Sequence, residues 1–452
     1  VQKSRGDDYV AEKRVVDLIS SGDLYLEVSG RVDGYFPAQL PMLVEEIKTL
    51  RADPALIPAS LQRLHWGQAK VYAYLLGRVH ELNVGDPVVV RLCYLQLDDD
   101  TEYLLTQTLT MQELGDYYQV LVTRQMDFLA RLSAWRTRRD KSIEQLEFPY
   151  PEYREGQRDM AVSVYRAMQS SRQLVLQAPT GVGKTMGVLY PAIKGLPTGP
   201  LEKLFFLSAK TSGQALAAAA VADMREQGLQ LRDITLTAKN KICFTPGAPC
   251  DAEHCQFAAG YYDKLGKVME EVLLEDQALT RAVIEAKARA HQVCPFELEL
   301  DLSLVADIVI CDYNYVFDPA VYLRRYFDGV DQGYGLLIDE AHNLVDRGRE
   351  MFSAEIEKNA YLELRRQLPA ELPLMARSLA AVNAQFLTLL KMDKPGFVQV
   401  GYRIIPELPQ RLIQALRKFT VAAEDWLQQN QAADFNEILL ALYFQHPPLM
   451  NW

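Results

Sequence analysis

The sequence predicts an α/β protein built as two successive architectures, the second a doubly wound parallel sheet. Three observations carry that expectation. Residues 24–36 and 42–49 alternate apolar and polar side chains as half-buried strands do, with helical stretches on either side. From residue 148 onward, short apolar runs end in polar or glycine-rich turns and lead into helical segments, the rhythm of parallel strands with crossover helices. After about residue 345 the pattern turns helical and carries no obvious motif.

Taken in order, residues 7–21 have a helical period, LYLEVSGRVDGYF (24–36) and MLVEEIKT (42–49) read as a strand pair, and 62–79 as a helix. PVVVRLCYLQL (87–97) and TEYLLTQTLT (101–110) read as a second strand pair, and 111–138 as a long helix. The αββαββα order predicts one compact α/β domain over residues 1–147. FPYPEYREG (148–156), with two Pro and a Gly, reads as a linker. A helix over 156–169, the strand QLVLQAP (173–179), a glycine-rich turn and another helix follow. LEKLFFLSA, ADIVICDYNYVF and YGLLIDEAHN complete a parallel sheet over residues 148–344 whose sites should lie at strand C-termini. Residues 345–452 form a helical unit.

At 452 residues, 49% hydrophobic and 24% charged, the chain has room for two or three domains with their own cores. No apolar run approaches the roughly 20 residues that span a bilayer, and VQKSRGDDYV has no apolar stretch of a secretory signal. The net charge of −11 speaks to solubility and does not exclude a local basic channel for nucleic acid. Six cysteines are too few for a disulfide scaffold in a chain this long. Cys93 and Cys311 fall on apolar strands and read as core.

APTGVGKT (178–185) follows an apolar strand and precedes a helix, the context in which such a loop binds phosphate. Thr180, Gly181 and Gly183 let the backbone N–H groups face a nucleotide, Lys184 reaches the β- and γ-phosphates, and Thr185 holds Mg²⁺ through its hydroxyl. In GLLIDEAHN (335–343), Asp339 at a strand end suits Mg²⁺ coordination and Glu340 suits activation of the attacking water. His342 is a candidate for coupling nucleotide state to the sheet. ATP with Mg²⁺ is the expected cofactor.

These two motifs resemble those of superfamily 2 helicases of the DEAH type, more narrowly the XPD/DinG family, over residues from about 149 onward. The resemblance implies that Gln157 in YREGQRDM contacts adenine, and that Lys210, Thr211 and Ser212 in SAKTSGQ contact DNA phosphates. ICDYNYVFDP (310–319) resembles the strand and turn that precede the DEAH strand.

Cys243, Cys250, Cys255 and Cys294 are spaced C-x6-C-x4-C-x38-C, and four thiolates at that spacing suit either zinc or a [4Fe–4S] cluster. Their location, and CPFE after the last cysteine, resemble the iron–sulfur insertion of XPD/DinG helicases. The resemblance implies a 4Fe-4S cluster in an insertion at about 239–300, with a structural role beside the DNA path.

In the first domain, Asp33 and Glu46 on consecutive strands can converge on one ion, and hard carboxylate oxygens suit Mg²⁺ or Mn²⁺. Lys48 would position water or stabilise charge on a phosphodiester, and Gln68 and Tyr72, one helical turn apart, would face the site. The ordered set GxxD, ExK, QxxxY resembles the RecB-like branch of PD-(D/E)XK nucleases, whose αββα core agrees with the predicted order. Glu12 is a candidate upstream ligand by that resemblance.

Neither an [ST]AT segment nor a Gln-x-x-Gly-Arg-x-x-Arg occurs between residue 343 and Trp452, so the second motor domain of such a helicase is expected to be absent. The helical tail resembles the arch insertion of XPD-type helicases. The chain reads as the front part of a longer nuclease–helicase, acting on single-stranded or tailed DNA as a monomer in a bacterial cytoplasm, with 5′ to 3′ polarity implied by family. Unwinding by these residues alone is not expected. The competing expectation is a catalytically silent DNA-binding module beside a helicase fragment.

Overall fold

The computed structural model describes residues 2–50, 57–97, 100–275, 278–328, 333–369, 372–391, 398–399, 402–429 and 436–444. In the first sheet, β1 (Val10–Ser21), β2 (Leu24–Phe36) and β3 (Met42–Leu50) are antiparallel neighbours. α1 (Ala59–Val79) crosses to β4 (Pro87–Gln96), which lies parallel to β3, and β5 (Glu102–Thr110) returns antiparallel at the edge. α1 buries Ala69, Ala73 and Leu76, a spacing that puts all three on one face, against Val32, Val44, Val90 and Leu92 of the sheet.

The helix expected over residues 7–21 is instead β1. Val15 faces the core, Asp17 and Ile19 are half-buried on the same side, and Val16 and Leu18 point outward, which is a period of two. The doublets Val15-Val16 and Leu18-Ile19 satisfy either period when read alone. β-branched side chains and the long backbone edge of β2, paired from Val10 to Ser21, decide for the strand.

α2 (Met111–Gln145) is longer than expected and serves both halves of the molecule. It opens with a capping box in which Thr110 and Glu113 satisfy each other's backbone N–H groups. Leu114, Tyr118 and Val122 pack in the first core, and Ile143 belongs to the second. Between them, Trp135 Nε1 and Arg139 Nη1 donate to the two oxygens of buried Asp307 at 3.0 and 2.9 Å.

The second half follows as α3 (Gln157–Gln169), α4 (Lys184–Lys194), β6 (Lys203–Leu207), α5 (Thr211–Glu226), β7 (Asp233–Thr235), α6 (Lys239–Ile242), α7 (Tyr261–Glu275), β8 (Ala278–Leu279), α8 (Arg281–His291), α9 (Pro295–Leu302), β9 (Ile308–Cys311), α10 (Asn314–Phe317), α11 (Arg324–Phe327) and β10 (Tyr334–Ile338). Its strands are all parallel in the order β10-β6-β9-β7-β8. Leu189, Ile193, Val221 and Met224 of α4 and α5 belong to one core cluster, and Val268, Val272, Ile284 and Leu298 of α7 to α9 to another. Cys93 and Cys311 are fully buried, in β4 and β9.

QLVLQAP is not a strand. Leu174, Val175 and Leu176 are exposed, Val175 to 94%, and β10 is the edge of the sheet among the described residues. An apolar run signals burial but does not name the backbone that will accept its hydrogen bonds, and without a ladder partner no strand forms.

Beyond β10 the chain is mostly helical. α12 (Leu344–Met351), α13 (Lys358–Gln367) and α14 (Pro373–Leu390) precede the short pair β11 (Val398–Gln399) and β12 (Tyr402–Arg403), then α15 (Gln410–Gln429) and α16 (Asn436–Phe444). Tyr361, Leu379, Leu416 and Phe419 form their shared core. No described helix is long and apolar enough to cross a membrane.

Candidate functional site

β2 and β3 pair at Phe36↔Leu43, Tyr35↔Val44 and Gly34↔Glu45, and the ladder stops there. At the next position Asp33 Oδ2 accepts the Ile47 backbone N–H at 2.6 Å, a carboxylate standing in for a ladder carbonyl. That bond turns Asp33 toward β3, close enough to Glu46 for its charge to act there.

The adjacent glutamates of β3 go to opposite faces, as strand alternation requires. Glu45 is consumed by a buried ion cluster, accepting from Arg5, Arg91 and Tyr9. Glu46 shares its face with Lys48, whose Nζ donates to Glu46 Oε1 at 2.6 Å and to Gln68 Oε1 at 3.0 Å. Gln68 Nε2 donates to the Tyr72 hydroxyl at 3.2 Å. A Cβ at Gly30 would lie 2.6 Å from the Tyr72 ring and hydroxyl, so the glycine of GRVD is what lets α1 bring Tyr72 down onto β2. Asp33, Glu46, Lys48, Gln68 and Tyr72 are thus one connected group.

Glu46 is 2% exposed, and its Oε2 is buried with no hydrogen-bond partner, an orphaned acceptor beside a second carboxylate. Such an atom suits a divalent cation, which would compensate the desolvated charge. Glu12 stands on β1 across from Asp33 but binds Gln2 Nε2 at 2.8 Å and faces Arg31, exposed to solvent. Two carboxylates therefore converge, and among the described residues no group of three or more His, Cys, Asp or Glu is arranged to hold a metal ion. His65, one turn before Gln68, contacts the Tyr94 hydroxyl at 3.0 Å, and burial together with the Lys48 charge lowers its pKa. Sequence reasoning passed over it because a lone histidine on an apolar helix carries no pattern.

Burial, with Asp33 adding repulsion and Lys48 opposing, pushes the Glu46 carboxyl from 4.5 up to about 7. Since folding favours its protonated form, Glu46 supports stability at low pH and that support is lost as pH rises from 4.5 through about 7. In EDTA, the native protein should lose up to about 3 kcal/mol across that window relative to Glu46→Gln, read by chemical denaturation. Stabilisation by added Mn²⁺ should have the opposite trend and strengthen above about pH 7.

The second candidate site lies at the C-terminal end of β10. Gly181 and Gly183 adopt φ of +87° and +79°, left-handed backbone that favours glycine, and a Cβ at Gly183 would lie 2.4 Å from Gln157 Nε2. Gln157 is buried and braces the loop: its Nε2 donates to the Gly183 carbonyl at 3.1 Å and its Oε1 accepts the Arg154 N–H at 3.1 Å. The Arg154 guanidinium donates to the Gly181 carbonyl. Thr180 is exposed in the turn, and Lys184 and Thr185 open α4. Lys184 Nζ donates to Glu340 Oε1 at 3.2 Å, joining the loop to the DEAH segment.

Asp339 is half-buried, and burial followed by the Glu340 charge raises its pKa while Lys184 opposes. Ser208 Oγ donates to Asp339 Oδ2 at 3.5 Å, and Gly213 leaves room for both, since a Cβ there would meet Ser208 Oγ at 2.1 Å. The buried Tyr313 hydroxyl donates to the carbonyls of Asp339 and Glu340, the latter at 3.2 Å. Ser208, Gly213 and Tyr313 lie within quoted motifs, yet only the fold reveals them as supports for the acidic pair. His342 is exposed, its Nδ1 3.4 Å from Glu340 Oε2. Lys210, Thr211 and Ser212 are exposed where α5 begins, so unpaired backbone N–H groups and a cation face solvent together.

The four clustered cysteines are Cys243 directly after α6, Cys250 and Cys255 in the loop that follows, and Cys294 directly before α9. Thr245 Oγ1 contacts Cys255 Sγ at 3.3 Å and Cys243 Sγ at 4.0 Å. The proximity of Cys250, with the charges of Cys243 and Cys294, raises the pKa of the Lys239 ammonium. The donor set is chemically that of a tetrathiolate centre, but the sulfurs are not gathered into a metal-holding group.

Residues 225–361 match the family model described as DEAD_2. A protein of Methanocaldococcus jannaschii described as a probable ATP-dependent helicase is 49% identical over 209 residues, covering 44% of this chain and 29% of that one. The XPD helicase subunit of general transcription and DNA repair factor IIH of Dictyostelium discoideum is 22% identical over 289 residues, covering 57% of this chain and 35% of the relative. The chain thus spans about a third of the length of these relatives. A solved structure titled as an XPD helicase aligns over 65% of this chain and 51% of its own at 20% identity, with a TM-score of 0.42. Both of these sequence relatives are described as helicases, one of them an XPD subunit, and the family match falls on residues that include the DEAH segment. The 49% identical relative is archaeal, so the bacterial setting expected from the sequence finds no support there.

Proposed function

We propose that the chain belongs to a DNA-processing nuclease–helicase, pairing an XPD/DinG-like first motor domain with a metal-dependent deoxyribonuclease built on β2, β3 and α1. The observation that carries the nuclease reading is the buried, unpartnered Glu46 Oε2 beside Asp33, with Lys48 fixed to the other oxygen. Asp33 and Glu46 would hold Mg²⁺ or Mn²⁺, which when bound lowers the pKa of a coordinated water and offsets phosphodiester charge. Lys48 sits within reach of a phosphate brought to those carboxylates, and Gln68 and Tyr72 fix its direction. Glu12 would act through its charge on Asp33.

At the motor site, Lys184 would turn from Glu340 to the β- and γ-phosphates of ATP. Thr185 and Asp339 would hold its Mg²⁺, and Glu340 would orient the attacking water. Gln157 braces the loop on which adenine recognition would depend. Cys243, Cys250, Cys255 and Cys294 would hold a [4Fe–4S] cluster, a reading supported by the donor set and by the Thr245 hydroxyl that touches both Cys243 and Cys255. Single-stranded or tailed DNA as substrate, 5′ to 3′ movement and a repair setting are part of the proposal. So are the division at 1–147, 148–344 and 345–452, and the monomeric state.

A second reading, a silent DNA-binding module in place of the nuclease, draws on the convergence of two carboxylates rather than three among the described residues. Degradation of end-labelled single-stranded DNA with Mg²⁺ or Mn²⁺ tests the choice, with DNA-stimulated ATP hydrolysis measured in parallel. Metal-dependent shortening of the label is the expected result. Intact DNA in the presence of normal DNA binding would overturn the nuclease and leave the motor reading to the ATP measurement.

A further inference from the structure

α1 crosses the first sheet over three adjacent strands, and one side chain marks each crossing. Tyr72 sits over Gly30 of β2, Gln68 holds Lys48 of β3, and His65 meets Tyr94 of β4. The spacing of 65, 68 and 72 keeps all three on the helix face turned to the sheet. β3 and β4 are parallel with Lys48 paired to Tyr94, so those two side chains leave the same face of the sheet. His65 therefore stands beside the Lys48 ammonium, whose charge acts on its ring. It is the one member of the row that the nuclease reading leaves without a task.

The contact with Tyr94 fixes which ring nitrogen carries the proton. Tyr94 is 1% exposed, and among the described residues its hydroxyl has one hydrogen-bond partner, His65 Nδ1 at 3.0 Å. A buried phenol O–H left without an acceptor is destabilising, so the hydroxyl donates and Nδ1 accepts. Burial, and then the Lys48 charge, disfavour a second proton on the ring, which lowers its pKa and keeps it neutral at neutral pH. The single ring proton is then on Nε2, which has no partner among the described residues, and the ring is partly exposed. In that tautomer the imidazole presents a donor and no free lone pair. It does not complete the two-carboxylate metal site, because ligation needs the lone pair that Nε2 has given to its proton. It suits a phosphate oxygen.

We propose that His65 Nε2–H donates to a non-bridging oxygen of the phosphodiester that Lys48 engages, and that Tyr94 is the positioning residue that sets the imidazole tautomer. This role of His65 rests on the nuclease reading and adds a substrate contact to it. No bond is made or broken at His65. Its proton stays on Nε2 and offsets the charge that grows on the phosphate oxygens as the nucleophile arrives.

The test uses the full chain with saturating Mn²⁺ above pH 7 and follows cutting of end-labelled oligothymidylate across substrate concentrations. His65→Ala should lower kcat by about 10²-fold with KM within about twofold, the loss expected for one donor aimed at developing charge. His65→Gln keeps a side-chain N–H and should recover much of that rate. Tyr94→Phe, which releases the tautomer, should fall between the native protein and His65→Ala. The rise in thermal midpoint on adding Mn²⁺ should be the same in all four proteins. Cutting by His65→Ala at the native rate would overturn the assignment and leave the nuclease standing. Loss of the Mn²⁺ stabilisation in His65→Ala would overturn it in favour of metal ligation by the ring. A raised KM with kcat kept would overturn the transition-state contact and make His65 a binding residue only. A lowered midpoint in EDTA with kcat kept would overturn it by reducing His65 to a partner for Tyr94. No cutting by the native protein would instead remove the nuclease reading, and the role of His65 with it.

Discussion

Lys48→Ala should lower metal-dependent cutting of single-stranded DNA by about 10²–10³-fold, the cost of removing one charged group from a preorganised anion site. Among the described residues the lysine is the sole cation paired with Glu46. Its ammonium is held between Glu46 Oε1 and Gln68 Oε1, and Gln68 is held in turn by Tyr72. Removing it has a second consequence, because Lys48 is the charge that opposes burial at Glu46. The Glu46 carboxyl should then take up its proton at still higher pH, so part of the loss would be weaker metal binding. Assays above pH 7 with saturating Mn²⁺ remove that part and leave the effect on the phosphodiester. DNA affinity should stay within about twofold, because one contact among many is lost. Undiminished cutting at high pH and saturating metal would place the chemistry elsewhere; loss of DNA binding in step with cutting would make Lys48 a binding residue only.

Lys184→Ala should weaken ATP binding by roughly 10- to 100-fold, the range for losing a charge-assisted hydrogen bond to phosphate. The change also frees Glu340, which Lys184 engages at 3.2 Å, so the loop and the DEAH segment lose the one direct side-chain bond between them among the described residues. Gln157 and Arg154 keep the loop in shape through the carbonyls of Gly181 and Gly183, so the fold should persist and the thermal midpoint should hardly move. A fluorescent ATP analogue titrated into both proteins reads the affinity directly, without requiring turnover. DNA cutting should be unchanged, since no hydrogen bond or ion pair connects Lys184 with Asp33, Glu46 or Lys48 among the described residues. Equal affinity in the two proteins would rule out phosphate recognition by this lysine.

Much of the candidate chemistry was legible because it is spaced along the chain as it is spaced in space. Glu46 and Lys48 are two residues apart on a strand and Gln68 and Tyr72 four apart on a helix, so each pair shares a face by backbone geometry alone. Gly181, Gly183 and Lys184 likewise form a local turn. What could not be read was pairing. The Val and Ile doublets of residues 10–21 fit a helix until β2 offers its edge, and QLVLQAP reads as a strand until the sheet ends without it. Helix or strand in such runs is decided by hydrogen-bond partners that lie far away in sequence.

Local spacing along the chain was enough to place the two constellations, to mark Cys93 and Cys311 as buried, and to read an α/β chain with parallel strands whose ends bear the polar motifs. Folding settled which neighbours those residues would have. It assigned Glu45 to a buried ion cluster and left Glu46 Oε2 unpartnered, although the two are adjacent and identical. It seated Tyr72 over Gly30 and put Ser208 and Tyr313 behind Asp339. It also brought Arg232 to Trp135 across nearly a hundred residues, an approach that no local pattern encodes. The reason is the same in each case: a side chain's charge state and hydrogen bonds depend on the dielectric and the partners that folding supplies, and those come from elements distant in the chain.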